Sequence, residues 1–189
     1  MRNLKTIAIA LFVAFGTTVA TAQTKKVDVA KSKISWVGKK VTGSHEGTVS
    51  LKEGSLVFNG KKLTGGTFTV DMNSIQVTDL KAGQGKEKLE GHLKADDFFG
   101  TEKYPTAKLN FTKVAAKQNG LYTVTADLTL KGITKPITFD ITVNGNKATS
   151  ALKIDRTKYG IEYKSGSFFD SLGDAAISDE FDLAVELAF

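Results

Sequence analysis

The sequence predicts an all-β domain, and two of its features carry that prediction. Apolar and polar residues alternate along most of the chain, and turn-forming residues separate the alternating segments. Successive side chains of a strand point to opposite faces, so such alternation indicates strands with one buried face. Consecutive strands joined by short turns pair as antiparallel neighbours, and their apolar faces meet in one core, either a sandwich or a barrel.

The first 22 residues are predicted to be a secretory signal peptide. Two cations, Arg2 and Lys5, precede an uncharged apolar run over residues 7–19, and small residues follow at Ala20-Thr21-Ala22. This is the three-part pattern of a leader, and the run is too short for a membrane-spanning helix. We expect cleavage after Ala22 and a periplasmic or secreted domain over residues 23–189, without stable insertion in a membrane.

Composition restricts the chemistry that this domain can perform. The chain has no cysteine, which excludes disulfides, thiolate metal sites and thiol nucleophiles, and only two histidines, His45 and His92. The leader carries two of the 26 Lys and Arg residues and none of the 20 Asp and Glu residues, so the net charge of the rest falls from +6 to +4. The lysines are interleaved with acids, which argues against a nucleic-acid partner. No metal, cofactor or catalytic residue is predicted.

Three segments in the second half alternate most clearly, and weaker copies occur before them. The apolar faces of the three are Tyr122, Val124, Ala126, Leu128 and Leu130; Ile137, Phe139, Ile141 and Val143; and Ile177, Phe181, Leu183, Val185, Leu187 and Phe189. Turns between strands are predicted at Lys52-Glu53-Gly54, Asn59-Gly60, Gly65-Gly66, Gln118-Asn119-Gly120, Lys131-Gly132 and Asn144-Gly145-Asn146.

Two long stretches, residues 79–105 and 157–176, interrupt the alternation. The first contains helix-forming residues at 86–90 and is predicted to be a short helix plus a loop across one end of the sheet. Each stretch holds a pair of adjacent aromatic residues, Phe98-Phe99 and Phe168-Phe169, which strand alternation does not explain. Long loops of this kind are often functional, so each pair could close one end of a barrel or line its mouth.

Arg156 follows the alternation of Leu152 and Ile154 and is therefore expected to point inward at the end of its strand. A buried guanidinium group needs hydrogen-bond acceptors. Two readings are open: an ion pair with a loop acid such as Asp170 or Asp174, or contact with the head group of a ligand.

Three sequence motifs, in order along the chain, resemble the signatures of the YceI-like family. They are His92-Leu-Lys-Ala-Asp-Asp-Phe-Phe-Gly-Thr-Glu-Lys-Tyr-Pro105 with its continuation to Phe111, Leu128-Thr-Leu-Lys-Gly-Ile-Thr-Lys-Pro-Ile-Thr-Phe139, and Ile154-Asp-Arg-Thr-Lys-Tyr-Gly-Ile161. The resemblance implies a lipocalin-like, extended antiparallel β-barrel of about eight strands, with a short helix and loop near one end. It also implies a long apolar tunnel that binds a polyisoprenoid, an isoprenoid quinone or a similar amphiphilic lipid, and no enzyme activity.

By the same resemblance, one segment covers the tunnel and another lies at the barrel end. The covering residues are His92, Asp97, Phe98, Phe99, Tyr104 and Pro105, and the barrel-end residues are Arg156 and Gly160. The full set of candidate ligand-binding residues is Trp36, Phe68, His92, Phe98, Phe99, Phe111, Phe139, Arg156, Phe168, Phe169 and Phe181. Two alternatives stay open, a hydrolase or isomerase that uses His92 with Asp97, and a structural or stress-related envelope module with a filled core. Homodimer formation is also open.

Overall fold

The computed structural model describes residues 21–189, so the predicted leader lies outside the described residues except for its last two positions. Nine strands make up most of the described chain. They are β1 (Ala22–Lys26), β2 (Lys33–Lys40), β3 (Gly43–Asn59), β4 (Lys62–Val77), β5 (Thr106–Ala116), β6 (Leu121–Leu130), β7 (Ile133–Asn144), β8 (Lys147–Asp155) and β9 (Ile177–Ala188). One helix, α1 (Lys86–Lys94), and three short 3₁₀ turns (Val29–Lys31, Arg156–Tyr159 and Gly173–Ala175) complete the described elements.

Strands β2 to β9 form a closed eight-stranded antiparallel barrel in chain order. Closure comes from the pairing of β2 with β9, in which Ile34 lies opposite Val185 and Trp36 opposite Leu183. Strand β1 stands outside the ring and pairs with the far end of β3. The structure thus confirms the lipocalin-like barrel with its short helix, and adds one strand to it.

Successive strands run in opposite directions, so their connections alternate between the two ends of the barrel. Both long connections, after β4 and after β8, therefore lie at the same end. Short turns join β3 to β4, β5 to β6 and β7 to β8 at what we call the turn end. Residues 78–105, which contain α1, and residues 156–176 lie at the opposite end, which we call the lid end. The predicted helix is confirmed and continues to Lys94. None of the helices within residues 21–189 is long and apolar enough to cross a membrane.

Helix α1 covers a gap in the barrel wall at the lid end. Strand β5 pairs with β4 only up to Asp71, opposite Thr106, so the last residues of β4 extend beyond it. There Glu90 of α1 accepts a hydrogen bond from the N–H of Val77 at 2.8 Å. Val77 is fully buried, and an unpaired buried N–H is costly, so this bond fixes α1 to the strand.

Two of the predicted turns are wrong. Lys52-Glu53-Gly54 lies inside β3, where the register shifts between Leu51 and Glu53, and Gly65-Gly66 lies inside β4. These glycines make room for aromatic rings rather than reversing the chain. A Cβ at Gly54 would lie 2.6 Å from Cδ1 of Phe68, and one at Gly66 would lie 2.9 Å from Cε2 of Phe111. The other four predicted turns are confirmed as strand connections.

Candidate ligand-binding site

An apolar cavity of about 200 Å³ occupies the barrel interior. All eight barrel strands contribute inward-facing residues to it, and on β9 the lining extends from Ile177 to Leu187. Ten residues at about 3.3 Å each, on strands tilted by about 40°, give the cavity a length of roughly 25 Å. A cavity of roughly 150 Å³ lined by Leu, Ile and Phe in another protein stays dry and binds benzene, so a larger one of this character suits an apolar ligand.

The polar side chains in the lining are concentrated at the lid end. Lys39, Arg156, Ser178 and Glu180 lie there, whereas Ser150 is the polar residue further down the barrel. Aliphatic and aromatic side chains form the rest of the wall. The cavity therefore has an apolar body and one polar end, which is the distribution that an amphiphilic chain requires.

The aromatic pair that follows α1 lines the cavity at the lid end. The rings of Phe98 and Phe99 meet edge to face at 5.1 Å, and the ring of Phe99 meets that of Phe181 on β9 at 6.2 Å. The backbone N–H of Phe99 donates to the carbonyl of Leu93 at 3.1 Å, and that of Phe98 donates to Ala95 at 3.0 Å. These bonds fold the chain back on the end of α1 and direct both rings toward the cavity.

Arg156 is held at the cavity wall by main-chain acceptors. It is 1% exposed, and its Nη1, Nε and Nη2 atoms donate to the carbonyls of Ile161, Ser178 and Ile177 at 2.7, 2.9 and 3.0 Å. The nearest carboxylate is that of Asp179, 3.7 Å from Nη2. Burial lowers the pKa of Arg156, and the charges of Asp179 and Asp155 oppose that effect.

The predicted ion pair of Arg156 with Asp170 or Asp174 is wrong. Both acids are exposed on the loop, whereas Asp179 stands on β9 beside the guanidinium group. The main-chain carbonyls of residues 161, 177 and 178 accept most of the hydrogen bonds of the guanidinium group. Any residue type can supply a main-chain carbonyl, so the sequence carried no signal for these partners.

Eight of the eleven candidate residues line the cavity, and three do not. Those in the lining are Trp36, Phe68, Phe98, Phe99, Phe111, Phe139, Arg156 and Phe181. His92 lies on α1 outside the cavity lining, with its ring 5.5 Å from that of Phe98 and 4.4 Å from that of Tyr163. Phe168 and Phe169 are 53% and 49% exposed on the loop before β9. The aliphatic wall residues, such as Leu152 and Val185, were missing from the candidates although their alternation marked them as inward-facing.

Neither histidine belongs to a metal-binding group within residues 21–189, and His92 and Asp97 form no hydrogen bond. Nδ1 of His92 is 3.9 Å from Asp97, too far for a hydrogen bond, and its Nε2 is buried without a partner. His45 instead contacts Asp79 at 2.8 Å at the end of β4. No three His, Cys, Asp or Glu side chains of the described residues converge on a point that could hold a metal ion.

The closed barrel and its hollow apolar interior define a lipocalin-like protein. The chain belongs to the YceI-like domain family, whose sequence profile matches residues 26–189. This membership confirms the resemblance drawn from the three motifs.

Solved structures from two bacteria share this fold. BcnA of Burkholderia cenocepacia has a TM-score of 0.65 and 25% identity, and the match covers 86% of this chain and 99% of that one. A structure from Saccharophagus degradans, described as a polyisoprenoid binding domain implicated in plant cell wall breakdown, has a TM-score of 0.60 and 18% identity, with 86% and 95% covered.

Curated relatives match over shorter segments. A UPF0312 protein of Shewanella denitrificans is 40% identical over 86 residues, which are 46% of this chain and 42% of the relative. Protein YceI of Escherichia coli O157:H7 is 34% identical over 100 residues, 52% of this chain and 49% of the relative. The chain thus spans about half the length of the curated relatives that it matches.

Proposed function

We propose that this chain is an exported binding protein that carries a long-chain isoprenoid, an isoprenoid quinone or a similar amphiphilic lipid in the barrel cavity. The observation that carries the proposal is the apolar cavity of about 200 Å³ that runs along the barrel axis. The structural likeness to a protein described as a polyisoprenoid binding domain supports the choice of lipid class.

Burial of the chain alone accounts for useful affinity. Transfer of about ten methylene groups from water contributes roughly 8 kcal/mol before losses of ligand freedom are subtracted. A net binding free energy of about 8 kcal/mol corresponds to a micromolar dissociation constant, so a chain of about twenty carbons, with roughly 16 kcal/mol before those losses, suits that affinity. Such a carrier needs no reacting group, in agreement with the geometry of His92, which neither lines the cavity nor bonds Asp97.

The polar end of the cavity supports an amphiphile with a defined orientation. In this orientation a hydrocarbon tail lies toward the turn end, between residues such as Leu109 and Val185. The head group lies at the lid end, near Arg156 and Ser178. The filled-core alternative disagrees with this hollow interior. A hydrolase or isomerase is not favoured by any contact of the described residues.

Export rests on the sequence pattern of the first 22 residues. We expect the mature protein to begin at Gln23 and to be recovered from the periplasm or the medium. Cell fractionation followed by intact mass measurement tests this directly. A full-length mass in the cytoplasmic fraction would contradict export.

Organic extraction of the purified protein, followed by mass spectrometry, tests the carrier role. We expect a co-purifying lipid with a long hydrocarbon chain, and uptake of the fluorescent C20 isoprenoid alcohol retinol by delipidated protein. If no lipid co-purifies and delipidated protein takes up no retinol, the carrier role is wrong. Prolonged incubation should return retinyl esters unchanged, and their turnover would favour the enzyme alternative.

A pair of tryptophan variants on β9 localises the bound lipid. Val185→Trp places an indole in the cavity, whereas Ala184→Trp places one on the outer face of the same strand. We expect Val185→Trp to lower retinol affinity at least tenfold and Ala184→Trp to leave it within twofold. Circular dichroism checks that both variants are folded, and equal affinities would place the lipid outside the cavity.

A further inference from the structure

We propose that ligands pass into and out of the cavity sideways, through a slit between β7 and β8, rather than through the lid end. The inference rests on the proposed carrier function and adds the route by which the lipid reaches its site. Four features of the two strands carry it.

The hydrogen-bond ladder between these strands is incomplete. It runs only from Ile141 opposite Ser150 to Asn144 opposite Lys147, next to the turn. By contrast, β7 pairs with β6 from Ile133 onward, and β8 pairs with β9 over its whole length. Residues 136–140 of β7 and 151–155 of β8 therefore face each other without ladder pairing, over roughly 16 Å at about 3.3 Å per residue.

Pro136 removes one hydrogen-bond donor from the unpaired part of β7. The N–H of Val143 donates to the carbonyl of Gly120 beside β6, at 2.8 Å. N–H groups alternate sides along a strand, and β7 has no register shift against β6, so even-numbered residues of β7 direct theirs toward β8. Pro136 thus stands where β7 would donate to β8, and it has no N–H to give.

The side chain of Ser150 forms a hydrogen bond where the β7–β8 ladder ends. The hydroxyl of Ser150 donates to the carbonyl of Asp140 at 2.7 Å, so this carbonyl is bound by a side chain where the next ladder bond would form. Ser150 also lines the cavity. Ser150 therefore lies at the boundary between the paired part of the two strands and the slit.

The slit opens directly onto the cavity. Ile137 and Phe139 of β7 and Leu152 and Ile154 of β8 all belong to the cavity lining, so a hydrocarbon chain between the strands contacts apolar side chains from both. Beyond the Ser150–Asp140 bond, separation of the two strands breaks no ladder hydrogen bond, because these residues are unpaired in the ladder. Widening the slit therefore costs less than opening a paired wall.

Passage through either barrel end would break packing contacts and hydrogen bonds that are present there. At the lid end, Arg156 is bonded to three carbonyls and the Phe98 and Phe99 rings pack edge to face. At the turn end, the rings of Phe58 and Phe189 stack at 5.5 Å. Passage through the slit leaves these contacts in place.

Cross-linking the slit tests the proposal, and the cysteine-free chain makes the engineered pair unambiguous. Extending the register beyond Ile141 and Ser150 places Thr138 opposite Lys153, and both residues are exposed. The variant T138C/K153C is joined by oxidation or by a short bis-thiol reagent. The matched control T125C/T138C ties the same β7 position to its direct partner on the paired β6 side.

Stopped-flow fluorescence with retinol measures exchange in the full chain. We expect the T138C/K153C cross-link to slow uptake and release at least tenfold, with the dissociation constant within threefold, and the reduced form to regain the original rates. The control cross-link should leave the rates unchanged. Uptake at the original rate by cross-linked T138C/K153C would overturn the slit as the route.

Ser150→Ala supplies the opposite test if cross-linking is inefficient. Loss of the bond to Asp140 should speed retinol exchange several-fold, and unchanged exchange would overturn the proposal. Failure of the unmodified protein to bind retinol is a separate result, which counts against the carrier function and not against the route alone.

Discussion

The guanidinium carbon of Arg156 lies 5.8 Å from the centroid of the Phe98 ring. This contact joins the end of β8 to residues 78–105, which we call the lid. Phe98 belongs to the loop after α1 in the lid, and Arg156 belongs to the turn after β8. Because the same guanidinium group binds carbonyls at 161, 177 and 178, one side chain connects the lid, the loop before β9 and the start of β9. A cation over an aromatic ring adds a modest attraction to these bonds.

Arg156→Lys is expected to destabilise the protein by about 3 kcal/mol, because an ammonium group cannot reach three separated carbonyls and each buried carbonyl left unpaired costs about 1–3 kcal/mol. Urea unfolding followed by circular dichroism measures the change. Lys158→Ala, two residues further on at a side chain that is 66% exposed, serves as the control and should cost less than about 0.5 kcal/mol. An Arg156→Lys variant as stable as the control would show that the three bonds contribute little.

The barrel strands were predictable because their burial is periodic. On β6 the predicted face is the one that is buried, with Val124 and Ala126 at 0% exposure, and on β9 the predicted face lines the cavity. Two-residue alternation is a local property of the sequence, so a single sequence is enough to detect it.

Positions that depend on distant neighbours were not predictable in this way. Gly54 and Gly66 look like turn residues, but each gives space to a ring from another strand, Phe68 or Phe111. The partner of Arg156 was likewise missed, because its acceptors are main-chain carbonyls that carry no sequence signature. Alternation also does not distinguish a filled barrel from a hollow one, since both have the same inward-facing positions.

Two glycine-to-alanine substitutions are expected to have opposite effects on stability. A Cβ at Gly47 would overlap the carbonyl oxygen of Gln76 and lie 2.5 Å from Cζ2 of Trp36, so Gly47→Ala must force β3 from β4 and should cost about 3 kcal/mol. Gly91 lies in α1 with nothing within 4 Å of such a Cβ, so Gly91→Ala should stabilise by about 0.5–1 kcal/mol. Urea midpoints of the two variants check both signs, and a stable Gly47→Ala would refute the close approach.

Substitution of Phe168 and Phe169 is expected to leave lipid binding largely intact. Both side chains are about half exposed and outside the cavity lining, so F168S/F169S should keep retinol affinity within twofold. Phe99→Ser, at a ring that lines the cavity, is the comparison and should weaken binding at least tenfold. Fluorescence titration measures both, and an equal loss in the two variants would place Phe168 and Phe169 in contact with the ligand.

Asp79 should make the stability of the lid depend on pH. Burial raises the pKa of Asp79, but hydrogen bonds from His45 and from the N–H of Glu46 outweigh it and hold the pKa below its usual value. A carboxyl with a lowered folded-state pKa contributes its full stability above the unfolded value of about 3.9, and loses it as the pH falls through the folded value. Asp79→Ala should therefore cost about 1 kcal/mol at pH 7 and at pH 5, and progressively less below about pH 4.

Urea unfolding at pH 7, 5 and 3 measures the difference, with Asp170→Ala, at an exposed loop acid, as the control. An Asp79→Ala deficit that is the same at pH 3 as at pH 7 would mean that the carboxylate charge does not hold the lid to β3.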